Sequence, residues 1–235
     1  MQNGKRVRVR VSGAYACFSR PEMKVERVSY EVMTPSAARG ILDAILWRPE
    51  MRWVVHAVEV LRPVRFISVR RNEVQSKIAP GSVKKWMNHP ETFQPLLAGA
   101  GSDDATPRNT LALRDVAYVI EAEPRIFHPN AENTPMKYIG MFERRVENGQ
   151  CFHRPYLGCR EFACRFEPPV PNEQPENVNL ELGMMLYDII CENQGTYRPV
   201  FFHASVSHGV MRVSPEAVLS NEKQREEMLA CSYKR

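Results

Sequence analysis

Residues Lys5 to Val11 read KRVRVRV, and no other stretch limits the fold so tightly. Side chains alternate across a strand, so Val7, Val9 and Val11 face one way while Arg6, Arg8 and Arg10 face the other. The segment is therefore a strand with one apolar face and one cationic face. The valines need a partner layer, and Thr34-Pro35 announces one. Thr is a good N-cap, and Pro is favoured at the first helical position. Ala38, Ile41, Leu42, Ile45 and Leu46 then give the apolar stripe of a helix, which Arg48-Pro49 stops.

The rest of the chain extends this pattern. From Ser12 to Met33 no period is visible, and the segment reads as a loop carrying Tyr15, Phe18, Arg20, Lys24, Arg27 and Tyr30. Arg52 to Val60 and Val64 to Arg70 read as two strands, or one strand bent at Pro63. His56 reads as a core or edge histidine, since no second ligand accompanies it. Residues 71–110 form a long excursion rich in Gly, Pro, Asn, Asp and Ser. Leu111 to Glu123 returns to strand, and Met136 to Asn148 is a helix ended by Gly149. An irregular loop then leads to a strand near Phe162–Phe166.

The order is strand, helix, strands, helix, strand. It predicts an α+β protein with a ferredoxin-like (RRM-like) N-terminal domain over 1–168, with the insertion at about 71–110. PPVPNEQPEN reads as a linker. Gly183–Ile190, Val200–His208 and Gly209–Val213 predict a small antiparallel β subdomain, completed by a polar tail from Pro215, over 169–235.

Charge narrows the function classes. The formal net charge is +5, yet residues 1–89 hold 17 Lys and Arg against 7 Asp and Glu. A basic first third predicts a surface facing a polyanion. No apolar run is long enough to span a membrane, and the N-terminus lacks the apolar core of a secretory signal. A cytoplasmic protein with no membrane partner is expected. The six cysteines contain no CxxC pair, so reduced, buried or incidental thiols are expected. Cys151, His153, Cys159 and Cys164 match no common zinc spacing, and neither metal nor cofactor is expected.

Three strings carry a resemblance: YACFSRPEMKVERVSYEVMTPSAARGILDAI, RFISVRRNEV and CFHRPYLGCREF. Together they resemble the CRISPR-associated Cas-five family in its type I-C ("d") form, of the RAMP superfamily. The likeness runs from Arg6 to about His208. It implies an endoribonuclease that cuts precursor CRISPR RNA at the base of the repeat stem-loop without metal. It also implies that the protein stays on the 5′ handle of the crRNA, beside the other subunits of the Cascade complex.

Such chemistry needs a base for the attacking 2′-hydroxyl, an acid for the leaving 5′-oxygen and a cation for the phosphate. The family is described with a Tyr, a Lys and a His in these roles. In this chain Leu46 stands at the Tyr position, Lys137 at the Lys position and Tyr138 at the His position. Lys137 is thus the candidate cation. Tyr138 can transfer a proton only if cationic neighbours lower its pKa, and His153 is the nearby substitute, with Tyr156 in the same loop. Candidate RNA contacts are Arg20, Lys24 and Arg27, then Arg70 and Arg71, then Arg154 and Arg160. Tyr15, Phe18 and Trp86 are candidate stacking rings. Two other readings stay open: a non-catalytic cap of the 5′ handle, favoured by the replaced Tyr and His, and a general nucleic-acid binder acting on duplex DNA.

Overall fold

A computed structural model describes residues 6–23, 25–95, 97, 99, 101–191 and 196–230. Strand β1 (Val7–Ala16) keeps the predicted alternation, with Val7, Val9 and Val11 buried. It runs five residues further than Val11, into the segment read as a loop, and β2 (Arg27–Val28) lies in the same segment. Helix α1 (Pro35–Ile45) starts as expected: the Thr34 hydroxyl accepts a hydrogen bond from the Ala37 N–H. It buries Ala38, Ile41, Leu42 and Ile45.

β3 (Met51–Val60) and β4 (Phe66–Val74) follow one another along the same edge of β5 (Ala105–Ile126). The break between them falls at Leu61 to Arg65, around Pro63, where Arg114 N–H donates to the Arg65 carbonyl. Opposite it Asp115 takes a left-handed φ of 52°, a conformation Asp tolerates better than most residues. His56 sits at a register shift of β3, its Nε2 3.3 Å from a Glu123 carboxylate oxygen.

The expected excursion over 71–110 is mostly ordered. β4 and the first part of β5 make a ribbon, from Phe66 opposite Leu113 to Val74 opposite Ala105. Its tip carries helix α2 (Pro80–Asn88), with Trp86 packed edge-on against Phe93 at 5.2 Å. The sequence read Val64 to Arg70 and the stretch from Leu111 as strand but missed Arg71 to Val74 and Ala105 to Thr110, because this outer part of the ribbon is largely exposed on both faces and no hydrophobic period marks it.

Helix α3 (Pro135–Glu147), capped by Thr134, follows β5 and leads to the short β6 (Arg165–Glu167). The main sheet has the order β6-β1-β5-β3, and every neighbouring pair is antiparallel. α1 and α3 pack on the valine face, where Trp53 and Phe142 meet at 4.8 Å. β7 (Leu180–Cys191) and β8 (Tyr197–Val206) form a separate two-stranded sheet. β9 (Val210–Arg212), expected beside them, instead extends the main sheet at β3. Met185, Tyr187 and Phe202 of the hairpin share one core with α1 and β1. The tail forms α4 (Pro215–Val218) and α5 (Glu222–Ala230).

A buried ion cluster pins the hairpin to the sheet. Arg39 of α1 makes two 2.9 Å bonds to the Asp188 carboxylate, and Arg52 of β3 makes a third at 2.6 Å. Burial alone pushes the Asp188 pKa up, but Arg39 and Arg52 outweigh it and hold the group below the usual carboxylate range.

Candidate RNA-processing site

The face opposite the helices is not the cationic surface the sequence predicted. Each β1 arginine is neutralised there: Arg6 by Glu121, Arg8 by Glu59, and Arg10 by both Glu167 and Glu173, all within 2.6–2.7 Å. The sequence could not show this, because the carboxylates come from strands and loops distant along the chain.

At the start of α3 a cation has no carboxylate partner among the described residues. Lys137 is exposed in the first helical turn. Its Nζ lies 3.4 Å from the Asn133 side-chain oxygen and 5.4 Å from the centre of the Tyr138 ring. An exposed ammonium here adds to the positive end of the helix dipole, which favours an anion. Tyr138, whose ring lies under that ammonium, is buried. Its hydroxyl lies 2.8 Å from Glu50 Oε1 and 2.9 Å from Asn133 Oδ1. It has one proton to donate, and the carboxylate is the stronger acceptor. Burial and then the Glu50 bond push the Tyr138 pKa up to about 12, against a weaker pull from Arg48. The lowered pKa that proton transfer by Tyr138 requires is therefore absent. The Tyr138 hydroxyl donates to Glu50, with the Asn133 oxygen that Lys137 touches close beside it. Glu50 and Arg48 were missed in the sequence, where Arg48-Pro49 read only as a helix stop.

Leu46, at the family's Tyr position, is fully buried, and its carbonyl accepts the Trp53 indole N–H at 2.8 Å. His153 is exposed. Its backbone N–H and that of Phe152 both donate to the Ala44 carbonyl, at 3.2 and 2.8 Å, so the loop is tied to the last turn of α1. Nearby, Arg145 donates to the Ile45 carbonyl at 2.5 Å. Arg145 lies two turns beyond Lys137, about 12 Å along α3. Among the described residues no hydrogen bond or ion pair joins His153 to Lys137 or Tyr138.

The candidate RNA contacts divide. Arg20 is clamped on Glu31 at 2.9 and 3.0 Å and lies 4.5 Å above the Tyr30 ring. Arg27 and Arg71 share Glu161, at 3.6 and 2.7 Å, and Arg27 also lies 3.4 Å from Glu73. Arg70, Arg154 and Arg160 are exposed with no ion pair among the described residues. Lys24 lies outside the described residues. Phe18 is buried in the core, which removes it as a stacking ring, whereas Tyr15 is 43% exposed and so open to one.

Residues 7–214 match the family described as CRISPR-associated protein (Cas_Cas5), in its Cas5d form. The chain belongs to that family. A CRISPR pre-crRNA endoribonuclease Cas5d of Mannheimia succiniciproducens is 46% identical, covering 89% of this chain and 95% of that one. The protein of the same name from Thermus thermophilus is 40% identical, covering 90% and 92%. Among solved structures, a CRISPR-associated protein superposes with TM-score 0.61 at 22% identity, over 89% of this chain and 91% of that one. The functionally uncharacterized SMU1763c of Streptococcus mutans gives 0.62 at 18%, over 91% and 94%. Both share the fold. No helix among the described residues is long and apolar enough to cross a membrane.

Proposed function

We propose that this chain is a pre-crRNA endoribonuclease that cuts the CRISPR repeat by attack of the RNA's own 2′-hydroxyl, without a metal. The observation that carries the reading is Lys137: an exposed ammonium at a helix start with no carboxylate partner among the described residues. The two relatives bearing that activity in their names support it. The 2′-oxygen bonds to the adjacent phosphorus, the bond to the 5′-oxygen breaks, and a 2′,3′-cyclic phosphate remains. Lys137 stabilises the charge gathering on the phosphate. His153, in the loop tied to the end of α1, is assigned the proton transfer, which requires the bound RNA to bring the scissile phosphate between that loop and Lys137. Tyr138 is a positioning residue that holds Glu50 beside Asn133.

The strand order β6-β1-β5-β3 supports reading residues 1–168 as a ferredoxin-like unit. Residues 169–235 are then the small second unit, with β9 reaching back to the first sheet. In this reading the protein works in the cytoplasm and remains on the crRNA 5′ handle among Cascade subunits. The buried Leu46 and Tyr138 favour a second reading, a handle-binding subunit that does not cut.

One assay separates the two. Purified protein in chelator is mixed with its own repeat RNA and with the same RNA carrying a 2′-deoxy group at the scissile nucleotide. Cutting of the first alone, at one position, is expected. Binding without cutting establishes the second reading, and cutting of the deoxy substrate rules out 2′-hydroxyl attack.

A further inference from the structure

The end of β1 carries a groove that no catalytic argument uses. It has a volume of about 500 Å³ and lies on the sheet face opposite α1 and α3, between β1, β5 and the start of β6. Arg62, Arg154 and Arg165 line it, all exposed and none in an ion pair or side-chain hydrogen bond among the described residues. Its other cation, Arg10, is already met by Glu167 and Glu173. Its one acid, Asp115, lies 3.6 Å from Arg65. Three guanidiniums therefore line one groove without an ion pair among the described residues, and of the three only Arg62 feels a nearby carboxylate, that of Glu173, which Arg10 already holds.

The floor is made of small residues, Gly13, Ala14 and Ala163. Gly13 is needed there. A Cβ on it would meet the Leu157 side chain at 2.4 Å and the Ala163 carbonyl oxygen at 2.9 Å, so β1 and the chain entering β6 approach too closely for any other residue. No aromatic side chain lines the groove among the described residues. Cations without rings hold a phosphate backbone but do not stack bases. The volume takes a short stretch of one strand and not the width of a duplex.

We infer that this groove holds the phosphodiester backbone of single-stranded RNA flanking the hairpin, through Arg62, Arg154 and Arg165 and without regard to base. The inference rests on the RNA-processing reading above. The two sites are adjacent along the chain, because Arg154 follows His153 in the same loop. The Cys164 N–H bond to the Pro155 carbonyl, at 3.1 Å, fixes that loop against the entry to β6. Guanidinium is suited to this role, since its fork of donors stays charged at every relevant pH.

The test is salt dependence. Binding of a labelled ten-nucleotide oligouridine, the matching oligoadenosine and a blunt hairpin lacking flanks is measured across salt concentrations, for the intact protein and for R62Q/R154Q/R165Q. Each phosphate neutralised on a single strand contributes about 0.7 to the slope of log K against log salt. The triple variant is expected to lower that slope by about 2 for both oligomers and to leave the blunt hairpin unchanged. An unchanged slope, a loss confined to one base, or an equal loss on the blunt hairpin overturns the inference. Cleavage of repeat RNA by the intact protein is scored alongside. Cutting with an unchanged slope removes the groove and leaves the enzyme. A lowered slope without cutting removes the enzyme and leaves the groove.

Discussion

Two clusters of charge in this molecule are built in opposite ways. Around Asp188, Arg39 and Arg52 are held inside the protein by its carboxylate, with Asp43 taking a further 2.6 Å bond from Arg39. At the start of α3, Lys137 stands in solvent with an amide oxygen as its polar neighbour. The contrast teaches which charges are spent on the fold and which are kept for a ligand. A guanidinium that ends on a carboxylate has little left for a phosphate. By this criterion the paired arginines of the first third are structural, and the cations open to a ligand include Lys137 at the helix start, Arg62, Arg154 and Arg165 in the groove, and the exposed Arg70 and Arg160.

The sharpest way to break the comparison is to remove the buried carboxylate. Asp188→Asn leaves Arg52 facing an uncharged amide inside the protein and leaves Arg39 with Asp43 as its carboxylate. Losing one partner of a buried pair costs about 3–5 kcal/mol. Urea unfolding should show a loss of that size, while cleavage by the protein still folded stays near its original rate. A loss below about 1 kcal/mol would place Asp188 among the surface pairs.

The Lys137 side of the comparison predicts the reverse. Lys137→Ala should slow cleavage by about ten- to a thousand-fold, the range for losing an electrostatic or acid–base group, with the unfolding midpoint unmoved. Single-turnover assays at saturating protein separate this from weaker binding. Unchanged cleavage would end the catalytic assignment of Lys137.

The same contrast has a pH signature. The Asp188 carboxyl is held below its unfolded value, near 3.9. A group depressed in this way stabilises the fold above the unfolded pKa, and that stability is lost as pH falls through the carboxylate range. Urea midpoints should therefore drop on acidification below about pH 5, and the Asp188→Asn variant should drop less steeply. Parallel slopes for the two proteins would show that Asp188 does not couple to pH.

Much of this was legible in the sequence, and the exceptions share a cause. The KRVRVRV strand and the Thr-Pro helix start were readable because burial on one face leaves a period. The outer half of the β4–β5 ribbon, Arg71 to Val74 and Ala105 to Thr110, was not, since both its faces meet solvent. Lys137 could be placed from a family string. What neutralises each charge could not, because Glu59, Glu121, Glu167 and Glu173 reach the β1 arginines only through the folded sheet. The environment of Tyr138 was equally hidden: Glu50 lies 88 residues away in sequence.

Tyr138→Phe probes the boundary between the two kinds of cluster. It deletes one hydroxyl whose pKa is pushed up to about 12 by burial and by Glu50. The cost is about 1 kcal/mol for the lost bond, plus whatever Glu50 suffers if it stays buried. On the proposal that Tyr138 positions and does not transfer a proton, cleavage should fall by less than about tenfold, and the pH–rate profile should keep its shape. A displaced alkaline limb would return Tyr138 to proton transfer.

The smallest expected effect makes the strictest test of the whole contrast. Arg8 sits on the face the sequence marked as cationic, yet Glu59 holds it at 2.6 Å. Exposed pairs of this kind contribute about 0.2–1 kcal/mol. Arg8→Gln should therefore barely move the unfolding midpoint. It should also leave RNA affinity and its salt slope unchanged, since the charge it removes was never offered to a phosphate. Should Arg8→Gln lower the salt slope as much as a single groove arginine does, pairing would not decide which cations bind RNA, and the division between structural and functional charge would fail at its simplest point.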